Sequence, residues 1–76
     1  MKIYVDADAC PVKNEVYKVA ERHGAEVFVV SNSFLQVPRL NFVTQQVVDA
    51  GPDEADNWIA ERATEKDVVI TADILL

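Results

Sequence analysis

Cysteine occurs once in this chain, as Cys10, and histidine once, as His23. A lone cysteine cannot close an internal disulfide, which fits a reducing compartment. Long apolar runs are missing as well. No stretch approaches the roughly 20 residues that span a membrane, and the run behind Lys2 is too short for a signal-peptide core. The expectation is a soluble, cytoplasmic protein with no membrane partner. Basic residues are scarce, seven against thirteen acidic, for a formal charge of −6. That argues against a simple polyanion binder, which would present a basic patch. No internal repeat, low-complexity segment or linker divides the 76 residues. They suffice for one small domain, 1–76, and at this size only about 60% of the unfolded surface is buried. Half of the residues are hydrophobic, which argues against disorder.

What is present is acid in particular places. The run Ile3-Tyr4-Val5 ends in Asp6-Ala7-Asp8, and Val68-Val69-Ile70-Thr71-Ala72 ends in Asp73. Without Asp6, Asp8, Asp56 and Asp73 the count falls to nine acids against seven bases, so most of the excess negative charge could belong to one site.

The chain reads as alternating strands and helices. Lys2 to Asp6 is a first strand, and continuous apolar residues of this kind mark strands covered on both faces. Pro11 suits the first position of a helix with Cys10 as its cap. Val12, Val16, Val19 and Ala20 supply the apolar stripe. His23 and Gly24 are helix-end residues. Glu26 to Ser31 is a second strand, parallel to the first through a right-handed crossover. Residues 32–41 read as a loop, either hiding a helical turn near Phe34-Leu35 or serving a function. Phe42 to Val48 is a third strand, whose Thr44-Gln45-Gln46 interruption suits a sheet edge. Gly51-Pro52-Asp53 opens a second helix with Ala55, Trp58, Ile59 and Ala63 on its apolar face, and Asp67 to Thr71 is the last strand. The simplest assembly is an α/β, Rossmann-like parallel sheet of order 3-2-1-4 with two main helices. Its topological switch point lies between strands one and four. Asp6, Asp8 and Asp73 border that crevice, and the second helix brings Asp53, Glu54 and Asp56 to the same rim.

Clustered carboxylates repel unless a cation intervenes. Oxygen ligands without His or Cys point to Mg²⁺ or Mn²⁺, and such an ion can orient a phosphodiester, activate water and stabilise the leaving oxygen. The competing reading has Asp6 and Asp8 capping a helix and forming a turn, with Asp73 a cap as well. Asp53 and Glu54 read as helix-dipole partners, Asp53 capping with Asp56 three residues on; Asp56 is the better metal or water ligand of the three. Cys10 at a helix start has no base within reach, so it reads as packing or capping. Ser31, Asn32 and Arg39 are candidate substrate-binding residues for a phosphate, against turn-forming and solvated-loop alternatives. Trp58 reads as core.

Asp6-Ala7-Asp8 after a first strand also resembles motif one of haloacid-dehalogenase-type phosphatases, where the first Asp is the nucleophile and the second the acid/base. Against that, no Gly-Thr follows the second Asp and no lysine follows a later strand.

A fuller resemblance is carried by Val5-Asp6-Ala7-Asp8-Ala9-Cys10-Pro11, Val30-Ser31-Asn32, Asp49-Ala50-Gly51-Pro52-Asp53-Glu54-Ala55-Asp56 and Val69-Ile70-Thr71-Ala72-Asp73-Ile74. Together these closely resemble the uncharacterised bacterial YaiI/YqxD family (UPF0178, DUF188), along the whole chain. That family is grouped with PIN-like domains, many of which are Mg²⁺/Mn²⁺-dependent nucleases. The resemblance implies a PIN-like fold and maps Asp6, Asp8, Asp56 and Asp73 onto the acidic metal cluster, with Asp6, Asp8 and Asp73 catalytic and RNA or another nucleic acid as the partner. Family members continue past Asp73 and tend to have proline where Leu75 stands, so this chain resembles a C-terminally truncated, amino-terminal portion. The alternatives are a non-catalytic α/β module, truncated or forming a homodimer through an exposed sheet edge, and a phosphatase using Asp6 and Asp8.

Overall fold

The computed structural model describes residues 1–8, 12, 14–51 and 53–71. Its elements run β1 (Lys2–Asp6), α1 (Asn14–His23), β2 (Glu26–Ser31), β3 (Val43–Val47), α2 (Glu54–Arg62) and β4 (Val68–Ile70). The strands form one sheet in the order β3-β2-β1-β4, and every neighbouring pair is parallel. This is the α/β architecture and the strand order expected from the sequence.

The two central strands are apolar between their end residues because each face carries its own layer. Side chains alternate across a strand. Ile3, Val5, Val27 and Val29 therefore pack on one side with Tyr17, Ala20 and Ala25 from α1 and the start of β2. Tyr4 and Val30 pack on the other with Ala55 and Ile59 of α2. On that second face Tyr4 stacks on Phe28 at 5.2 Å between ring centroids, and Trp58 meets Tyr4 edge-on at 6.1 Å. The Arg62 guanidinium lies 4.1 Å from the centre of the Trp58 ring, closing the layer with a cation–π contact. Trp58 is thus part of the core layer, as the stripe predicts.

The stripe on α1 is rotated from its expected position. Val12, Val16 and Ala20 pack inward, but Val19 is 44% exposed and Tyr17 takes its place at 8%. Counting apolar letters favours Val19; the helix instead turns the broad Tyr17 ring to the sheet. Burial pushes the Tyr17 phenol above its ordinary range. The helix ends in a Schellman motif. Gly24 adopts φ 67°, the Gly24 N–H donates to the Glu21 carbonyl at 3.3 Å, and the Ala25 N–H donates to the Ala20 carbonyl at 2.8 Å. The cap expected at Cys10-Pro11 lies outside the described residues.

The third strand is an edge strand, as its polar interruption suggests. Its assigned bounds are one residue tighter at each end than expected, yet the ladder reaches further: Val27 N–H donates to the Phe42 carbonyl and Val48 N–H to the Ser31 carbonyl, both at 2.8 Å. The fourth strand is also trimmed, because Asp67 is engaged in the turn before it. One Asp67 oxygen accepts the Thr64 N–H and hydroxyl, and the other accepts the Lys2 N–H, binding that turn to the start of β1. Residues 32–41 contain no helical turn. Leu35 is instead gripped by one side chain: its N–H donates to Gln45 Oε1 at 2.5 Å, and its carbonyl accepts from Gln45 Nε2 at 2.7 Å.

Candidate functional site

Parallel strands all point their carboxyl ends the same way. The rim beyond β1, β2 and β4 is therefore one surface, and the crevice between oppositely wound halves opens there. The register pairs Val5 with Val29 on one side and with Ile70 on the other. Continued one step, it sets Asp6 beside Thr71.

Asp6 closes β1. Strand alternation places its side chain on the Tyr4 side, toward α2, and its Oδ1 is buried. Asp8 stands exposed beyond the strand, and its Oδ2 accepts the Asn32 N–H at 2.8 Å. The turn after β1 is thereby tied to the turn after β2. Ser31 is fully buried, and its hydroxyl donates to the Ser33 carbonyl at 2.6 Å. That geometry is the turn-forming role, with the hydroxyl proton committed inside the protein. Asn32 is exposed at the rim.

Arg39 is exposed, but it is carried away from Asp6. Its loop leaves β2 at the carboxyl rim and must return to the opposite rim, where the parallel β3 begins. Asp56 is exposed in the first turn of α2. Asp53 occupies the N-cap position without a side-chain capping bond and in a left-handed conformation, φ 71°. The expected pairing of Asp53 with Asp56 is thus replaced by a backbone that turns at Asp53 and leaves the carboxylate outside the cap. Gly51, at φ 157°, starts the same turn; a Cβ there would lie 3.3 Å from Glu54 Cγ. Asp73 and Cys10 lie outside the described residues. Among the described residues no three His, Cys, Asp or Glu side chains group closely enough to hold a metal ion. Asp6, Asp8 and Asp56 therefore do not make such a site by themselves. No helix among the described residues is long and apolar enough to cross a membrane.

Two residues escape notice in the sequence. Gln45 reads as a break in an apolar run, yet it is the clamp on the 32–41 loop. Phe34 reads as a candidate for a hidden turn, yet it is 82% exposed. The available signal is a large aromatic inside an otherwise polar, proline-containing segment.

A family model described as "Uncharacterized BCR, YaiI/YqxD family" matches residues 4–76. A UPF0178 protein of Caulobacter sp. (strain K31) is 66% identical over 74 residues, which are 97% of this chain and 49% of that protein. A UPF0178 protein of Agrobacterium fabrum (strain C58) is 63% identical over 75 residues, 99% of this chain and 49% of its own length. One of Rhodopseudomonas palustris (strain BisB5) is 55% identical over 75 residues, 99% of this chain and 46% of its own length. The chain spans about half the length of the curated relatives it matches. No solved structure matches.

Proposed function

This chain belongs to the YaiI/YqxD (DUF188, UPF0178) family, and from that premise we propose that it is a divalent-metal-dependent phosphodiesterase of PIN-like type acting on RNA or another nucleic acid. The observation that carries the reading is the parallel pairing of β1 with β4. Because of it, both strands run out at the same rim, at the switch point where α/β sheets bind ligands, and in the sequence each is followed by aspartate.

In this reading Asp6 and Asp73 hold Mg²⁺ or Mn²⁺ directly, and Asp8 and Asp56 hold it or position its water. Asp73 is indispensable to the donor set, since the described acids do not complete one. A hard divalent ion suits carboxylate oxygens. When bound, it orients the phosphodiester, activates water and stabilises the leaving oxygen. Asp8 keeps one oxygen on the Asn32 N–H and offers the other to the site. Ser31 acts behind the rim by shaping the turn, and Asn32 stands where a phosphate oxygen would approach.

The test is a calorimetric Mn²⁺ titration of the chain and of Asp6→Asn, joined to cleavage of an oligoribonucleotide. Saturable heats that vanish in Asp6→Asn support the site. Equal, negligible heats in both remove it. Hydrolysis of a small phosphomonoester with no cutting of oligonucleotides would assign Asp6 and Asp8 to phosphatase chemistry instead.

A second reading, a non-catalytic module that pairs with another copy, is favoured by one feature. Among the described residues β4 is an edge strand with Val68 and Val69 exposed, and an apolar edge is a template for further pairing. It predicts that Asp6→Asn and Asp73→Asn lower the melting temperature with or without metal. The metal reading predicts that they relieve repulsion and stabilise the metal-free protein. Sedimentation equilibrium of wild type and Val69→Lys tests the pairing itself.

A further inference from the structure

We infer that Phe34 is a stacking platform for a base of single-stranded nucleic acid, with Arg39 further along the same groove contacting the backbone phosphate. The inference rests on the nucleic-acid reading above for the class of ligand, and on separate observations for the place.

The Phe34 ring is 82% exposed, yet its backbone is not slack. On one side the Ser31 hydroxyl holds the Ser33 carbonyl. On the other the Gln45 amide holds both the N–H and the carbonyl of Leu35. Leu35 and Val37 pack against the α1-side core. A ring presented on an anchored backbone needs little ordering when a ligand arrives.

The groove beside it has a volume of about 790 Å³, and Phe34, Leu35, Val37, Arg39, Val43 and Gln45 are among its walls. Among the described residues no carboxylate lines it, on a chain whose formal charge is −6. Arg39 is the sole Lys or Arg between Arg22 and Arg62. Arg62 is occupied by Trp58 and Glu61, whereas Arg39 has no ion pair among the described residues. One π face, one guanidinium, side-chain amides and no acid match a strand of nucleotides, where bases stack on aromatic rings and phosphates pair with arginine. The loop starts at Asn32, bonded to Asp8 at the acidic rim, and runs toward the far rim. A strand leaving the candidate site thus meets Phe34 before Arg39. Stacking reads no base edge, so sequence preference is weak.

The experiment titrates a labelled oligouridine against the chain in EDTA, with fluorescence anisotropy as readout, so that binding is seen without cutting. Phe34→Ala is expected to weaken binding about ten-fold, the factor carried by one lost base–aromatic stack. Phe34→Trp is expected to restore it, with indole fluorescence quenched on saturation relative to wild type. Arg39→Gln is expected to weaken binding and flatten the slope of log affinity against log salt by about 0.7, one released counterion on a single strand. Wild-type affinity in Phe34→Ala overturns the inference, as does the absence of binding by wild type. A change in sedimentation of Phe34→Ala without a change in oligonucleotide affinity assigns the ring to self-association and also overturns it. Mn²⁺ heats separate the two proposals. Heats with Phe34-independent binding sink the platform alone, and Phe34-dependent binding without heats sinks the metal site alone.

Discussion

The Asp8 carboxylate accepts the Asn32 backbone N–H at 2.8 Å, so the turn leaving β1 is fastened to the turn leaving β2 by one side chain. The bond is exposed but charge-assisted, and such bonds outlast neutral ones in similar settings. Asp8→Ala is expected to lower stability by about 1 kcal/mol in denaturant unfolding. Asp8→Asn keeps an acceptor oxygen and should lose less. If the two variants unfold alike and as wild type does, the carboxylate is not a fastener.

Gln45 makes the comparable tie on the other side of β2. Removing its amide strips two hydrogen bonds from Leu35, part-buried on both sides. Gln45→Ala is expected to cost about 1–3 kcal/mol and to speed amide exchange at Leu35 more than at Val29. Uniform exchange acceleration would show that the clamp is no more local than any core contact.

Asp67 contributes to the acid limb of stability. The Thr64 N–H, followed by the Lys2 N–H, the Thr64 hydroxyl and the charge of Lys2, holds its carboxyl below the ordinary 3.8 against an opposing desolvation effect. A carboxylate whose pKa is lowered by folding adds stability that is complete above its unfolded-state value. That stability is lost as pH falls through the folded-state value. The loss therefore begins near pH 3.8 and deepens below it. Asp67→Asn should be less stable than wild type at neutral pH, and the gap should close as pH falls through this window. A gap independent of pH would rule out the carboxylate as its source.

Gly24 tests backbone conformation in isolation. Its φ is 67°, and a Cβ added there would meet nothing within 4 Å. Gly24→Ala should therefore cost about 1 kcal/mol from the left-handed conformation alone, and Gly24→Asn less. Thermal melts of the pair check the order.

These contacts mark how far the sequence could be read. The central strands were legible because Ile3-Tyr4-Val5 and Val27-Phe28-Val29-Val30 are apolar without interruption, and only a strand covered on both faces tolerates that. The order 3-2-1-4 followed from the simplest assembly, with the third strand beside the second and the second helix returning across the sheet. The α1 face was misjudged at Val19 because tyrosine is counted as polar or apolar by convention, whereas the fold uses its ring. Loop contacts such as Gln45 on Leu35 leave no periodic trace, so the clamp was not visible, and Phe34 was marked only by being a large aromatic in a polar segment. At the rim, spacing brought Asp6 and Asp8 to the right edge, but no pattern disclosed that Asp8 is bonded to Asn32 or that Asp53 turns left-handed. Asp73, on which the metal reading depends, lies outside the described residues.

The pairing of Val5 with Ile70 also fixes when the crevice can exist. Contacts so distant along the polypeptide slow folding, since a long loop must close before any reward arrives. During synthesis β1, α1 and β2 can assemble early, while the strand that walls the crevice waits until nearly all of this sequence has emerged from the ribosome. Until β4 is in place Asp6 lies at an open border of the sheet, so any cation held between the two strands is captured only after β4 has docked.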